Sequence, residues 1–127
     1  MDELNEKILG LTENLLAVTE RLKENVGSHT DEGDWCNAWL IISKTMRIWE
    51  TSNHMKNYLL LEALTRELKS IIPKIKNLPK DMYAVEVFAN NSHVINWADK
   101  LSLDNYVYGP ALVKEYHDLV HTIKAYL

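Results

Sequence analysis

A seven-residue hydrophobic repeat runs through the opening segment of this chain. Leu4, Ile8, Leu11, Leu15, Val18, Leu22 and Val26 follow one another at spacings of four, three, four, three, four and four. Side chains at these intervals leave an α-helix on one side. Glu6, Glu13 and Glu20 keep a constant place beside the stripe, as the flanking charges of a helical seam do. A seam of this kind is stable only when a second surface covers it. The chain must therefore be a packing of helices, within one molecule or between two.

The pattern predicts a first helix over about residues 2–26, roughly 37 Å long at 1.5 Å per residue. Asp2, Glu3 and Glu6 lie in its first turn, where the positive end of the macrodipole favours them. Gly27 follows as a left-handed C-terminal stop, and Ser28 to Gly33 read as a polar loop. Thr30, Asp31 or Asp34 can cap a second helix carrying Trp35, Trp39, Ile42, Met46 and Trp49, Asp34 lying close to its first apolar residue. Thr51-Ser52-Asn53 marks a break, one continuous helix being the alternative. A third helix, with Tyr58, Leu61, Leu64, Leu68 and Ile72 on one side, should end or kink at Pro73, which lacks an amide proton.

The stretch from Asn77 to Asn105 is more ambiguous. Pro79 suits a first helical turn, and Met82, Val85 and either Phe88 or Ala89 fit a helix. Tyr83, Val85 and Val87 also alternate as a strand would. No second strand exists to pair with them, so helix is preferred. Asn90-Asn91-Ser92 signals a turn, with Ser92 as the cap of a short helix bearing Val94, Trp97, Ala98 and Leu101. Residues 102–109 read as a loop. Pro110 fits the first position of a last helix, striped by Leu112, Tyr116, Leu119 and Ile123. The fold expected is all-α: one domain over residues 1–127, a compact bundle of five or six helices, without a sheet.

The chain of 127 residues is 46% hydrophobic and 25% charged, as ordinary globular domains are. Cys36 is the only cysteine, so no intrachain disulfide can form. The opening Met-Asp-Glu-Leu has neither the basic nor the apolar region of a secretion leader, and a cytoplasmic location is expected. Residues 1–34 carry nine acids and three bases, residues 35–80 three acids and eight bases, and residues 81–127 six acids and three bases. The net charge of −4 argues against nonspecific binding along a nucleic-acid backbone. It leaves a local basic patch at Arg66, Lys69, Lys74, Lys76 and Lys80, opposed in sequence by Glu67 alone. Such a patch can meet a phosphate, a membrane surface or an acidic protein, although solvation accounts for most charge runs.

No catalytic constellation emerges. Gly10, Gly27, Gly33 and Gly109 stand too far apart for a phosphate-cradling loop. Cys36 follows the acidic Asp34, which raises a thiol pKa and makes a poor nucleophile. His117 and His121 are four apart, so both rings leave one helical face and can share a metal with ligands from elsewhere. A pair beside Lys114 and Lys124 is more often simply a wet face, and no cofactor is expected. Asp31, Glu32 and Asp34 precede Trp35; with Tyr106 and Tyr108 they would make an aromatic rim flanked by carboxylates, or else plug the ends of the bundle. Surplus aromatics and segregated charge favour a protein-binding module acting by association, such as an inhibitor, an immunity or antitoxin-like protein, a phage-encoded accessory protein or an adaptor. A homodimer is a reasonable variant. The alternatives are a metal or small-ligand protein built on His117 and His121, and a nucleic-acid accessory protein using residues 69–80.

Overall fold

The computed structural model describes residues 3–30, 48–103 and 105–127, with side chains placed for all but 25–30, 48–56, 106 and 107. Every described element is helical. In chain order they are α1 (Glu3–Thr30), α2 (Ile48–Lys76), α3 (Ala84–Asn90), α4 (Ser92–Lys100), the single turn α5 (Asn105–Tyr108) and α6 (Pro110–Tyr126). No strand occurs among the described residues, and residues 82–88 contribute to a helix and its lead-in. None of the described helices is long and apolar enough to cross a membrane.

The centre of the α1 seam differs from the all-apolar stripe. Asn5, Ile8, Thr12, Leu15, Thr19 and Leu22 are buried, at alternating spacings of three and four, while Leu4 is exposed and Leu11 only half-buried. Polar residues thus occupy every other place along the seam. They are tolerated because each has a partner: Asn5 accepts from the Ala84 N–H of α3, the Thr12 hydroxyl donates to the Ile8 carbonyl at 2.7 Å and Thr19 to Leu15 at 2.6 Å. The two threonine bonds close within one helical turn, so neither hydroxyl is buried without a partner. Opposite them, α2 buries Leu61, Leu64, Leu68, Ile71 and Ile75 at the same alternating spacings. Thr65 repeats the device, donating to Leu61 at 2.7 Å. Tyr58, expected on this inner face, is exposed.

α1 and α2 run antiparallel: Glu20 Oε1 and Lys69 Nζ are 3.4 Å apart across them, and Asn5, near the start of α1, bonds to Ala84, soon after the end of α2. α6 also runs against α1: Arg21 meets Glu115 at 3.4 Å near one end, and the Lys7 ammonium lies 5.7 Å above the Tyr126 ring near the other. α1 is therefore the central pillar, touching α2, α3, α5 and α6, and α4 closes the bundle between α2 and α6. The core joins these layers through Phe88, Val94, Ala98, Tyr108, Tyr116 and Ile123. The Tyr116 hydroxyl donates to the Ala98 carbonyl at 2.6 Å and locks α6 to α4.

Several expected boundaries shift. Gly27 lies inside α1, and Thr51-Ser52-Asn53 lie inside α2, which runs without a break. Neither signal is compulsory, because glycine or a short polar run costs a helix only about 1 kcal/mol or less per residue. Pro73 is also internal to α2; it is exposed, so the carbonyl that loses its donor there can turn to water. The helix stops one turn later, where Asn77 donates both its backbone N–H and its side-chain amide to the Pro73 carbonyl, each at 3.0 Å. Pro79 starts a turn, not a helix, with the Met82 N–H donating to its carbonyl at 3.1 Å. Asn91, rather than Ser92, is the residue before α4. At Gly109 a φ of +94° permits the sharp entry into α6, whose first residue is Pro110 as expected.

Candidate functional site

The acidic loop residues Asp31, Glu32 and Asp34, together with Trp35, Cys36 and Trp39, lie outside the described residues. Tyr106 belongs to α5, and nothing is described of its side chain. Tyr108 is 2% exposed and is part of the core. It is thus not a rim residue; the α5 turn aims its ring inward, where a large apolar surface is better buried than wetted.

His117 and His121 lie on α6, half-buried and exposed respectively. The His117 ring packs edge-on against Tyr116, with centroids 5.4 Å apart. Both histidines stand near Asp99 of α4, whose carboxyl is held below the ordinary carboxylate range. The hydrogen bond from Lys124 is the chief cause; partial desolvation opposes it, and the charges of Lys124, His121 and His117 add to it. Among the described residues, no group of three or more His, Cys, Asp or Glu side chains is arranged to hold a metal. The pair lies beside Asp99 and Lys124 where α4 meets α6.

His93 of α4 is more firmly engaged. Its Nε2 lies 3.5 Å from Glu67 Oε2 on α2, and its ring meets Trp97 edge-on with centroids 5.0 Å apart. Glu67, which the linear sequence sets against the basic run, is thus directed at a histidine.

The basic residues divide. Lys69 pairs with Glu20, while no carboxylate among the described residues pairs with Arg66, Lys74, Lys76 or Lys80. All four are exposed. Lys74 and Lys76 occupy the last turn of α2, where cations offset the negative end of the macrodipole, and Lys80 follows in the next loop. Arg66 lies two turns upstream.

Beside this basic corner is a cleft of about 300 Å3, lined by Lys74, Asn77, Pro79, Met82, Val87, Asn90 and Asn91. It lies between the C-terminal ends of α2 and α3. The Asn91 side-chain amide donates to the Val87 carbonyl at 2.8 Å, as that of Asn77 does to Pro73. Each asparagine is thereby fixed on the helix end it closes. No lining residue is acidic. Among these residues the sequence marked only Lys74 as a candidate. Asn77, Asn90 and Asn91 read as turn residues, and nothing in their linear spacing announces that they meet. No protein-family model, curated protein or solved structure matches this chain.

Proposed function

We propose that this chain is a protein-binding module that acts by association rather than chemistry, through the basic corner at the end of α2. The observation that carries the reading is the group of exposed cations, Lys74, Lys76, Lys80 and Arg66, which have no acidic partner among the described residues and stand near an open cleft. Charges already paired within a protein contribute little to recognition, whereas unpaired ones of one sign attract and orient a complementary surface. An acidic partner protein fits this arrangement, and the module would serve as an inhibitor or adaptor according to what that partner does. A cytosolic setting suits the single cysteine of the sequence.

A photo-crosslinking residue placed at Lys80 in the cell of origin tests this. The captured partner is purified and titrated against the parent protein and a K74E/K76E/K80E variant. A captured protein whose affinity falls by about tenfold or more in the variant, as loss of rim charge attraction at low salt allows, supports the reading. Capture of nucleic acid, with binding that weakens steeply as salt rises, replaces it with the nucleic-acid accessory reading. An unchanged affinity overturns both.

A further inference from the structure

We infer that the cleft between the ends of α2 and α3 receives an extended acidic peptide segment, one aliphatic side chain seated inside and a neighbouring carboxylate on Lys74. This rests on the protein-binding reading above and specifies what the partner presents. The lining separates into three chemistries: Lys74 supplies a single cation, Pro79, Met82 and Val87 supply apolar surface, and Asn77, Asn90 and Asn91 supply carboxamides.

The carboxamides favour main chain. Each amide holds two N–H donors and an acceptor oxygen, and Asn77 and Asn91 commit one donor to a helix carbonyl. Among the described residues, what each retains is one donor and the oxygen, the same pairing that a peptide group offers in reverse. The helix-end carbonyls behind them carry partial negative charge. A multiply charged phosphate would need converging donors and cations there; a single carboxylate needs only Lys74. The volume agrees, since about 300 Å3 is at the small end of ligand sites and suits one side chain with its flanking backbone. Met82 is flexible enough to fit aliphatic residues of different shape.

The test is a nuclear magnetic resonance titration of the intact chain. The probe is an acetylated, amidated pentapeptide with leucine between two pairs of glutamates. Matched probes replace the leucine by glycine or the glutamates by lysines, and inorganic phosphate is a fourth. The leucine–glutamate peptide should move the side-chain amide signals of Asn77, Asn90 and Asn91 and the Met82 methyl signal. Its affinity should fall by about fivefold or more in K74Q, the loss expected of one charge-assisted contact, and stay unchanged in K114Q on α6. The glycine peptide should bind more weakly and the lysine peptide not at all. Signals that stay still at millimolar peptide, that follow phosphate equally, or that respond alike in K74Q overturn the inference. If they do so while K74E/K76E/K80E still weakens the captured partner, the cleft assignment alone falls and the basic corner stands.

Discussion

The side-chain oxygen of Asn5 accepts the backbone N–H of Ala84 at 2.9 Å, across 79 positions of sequence. Ala84 opens α3, and its amide is one of the orphan donors that every helix start leaves. No side chain before α3 supplies the usual cap: Tyr83 stands at the cap position, its own N–H donating to Glu86 at 3.3 Å. A residue of α1 caps α3 instead, so a buried contact between distant parts of the chain does a job normally done locally. Asn5→Ala should lower stability by about 1–2 kcal/mol, the sum of a lost cap and an unsatisfied buried donor. Asn5→Asp, which keeps an acceptor oxygen, should lose less. Urea unfolding followed by circular dichroism measures both, and equal stability of Asn5→Ala and the parent would contradict the assignment.

Tyr116 couples the fold to alkaline pH. Burial pushes its phenol well above the ordinary value of 10.0, with the Asp99 charge adding to the effect. The unfolded chain releases this proton near pH 10 while the folded chain keeps it. Stability from this group is thus complete below that pH and falls as pH rises above it. Tyr116→Phe should cost about 1–3 kcal/mol near neutrality through the lost bond to Ala98, and should flatten the alkaline decline. Thermal unfolding from pH 8 to 11 reads both effects.

Asp99 gives the opposite sign. Its carboxyl is depressed below the ordinary 3.8, first by the Lys124 hydrogen bond, which spans 2.9 Å. The contribution is present above that ordinary value and is lost as pH falls through the folded one. A carbon-detected titration should place the Asp99 midpoint below 3.8 and move it upward in Lys124→Gln. An unmoved midpoint would show that the bond does not persist in solution.

Two glycines should respond in opposite directions. Gly10 lies within α1 with open space where a Cβ would stand. Gly10→Ala should therefore stabilise by about 0.5–1 kcal/mol, by restricting the unfolded chain and improving helix propensity. Gly109 has equal room, but its φ is +94°. Gly109→Ala should destabilise by about 1–3 kcal/mol through backbone strain alone. Denaturant midpoints of the two variants, measured together, check the contrast.

Helical class was legible because Ile8, Leu15 and Leu22 recur with a helical period, and so do Leu61, Leu64 and Leu68. The centre of the α1 seam was not. Asn5, Thr12 and Thr19 are buried by bonds that exist only once the helices have formed, so a reading of apolar residues puts Leu4 and Leu11 in their place. Gly27 failed as a stop because one glycine costs a helix only about 1 kcal/mol, whereas α2 runs through Pro73 and ends within one turn of it. The basic corner was visible as a run of charges, but which of them is neutralised was not. Lys69 meets Glu20 and Glu67 meets His93 only through the antiparallel pairing of α1 with α2 and the docking of α4. The cleft was invisible for a related reason. Its asparagines come from the ends of two different helices, and each on its own is an ordinary turn residue.

The position of α1 between α2 and α6 sets an order on assembly. α6 follows α1 and α2 along the chain, so the flank of α1 that it covers meets that partner only after both of the other helices have been made. Docking of α6 is therefore the later of the two pairings that enclose α1.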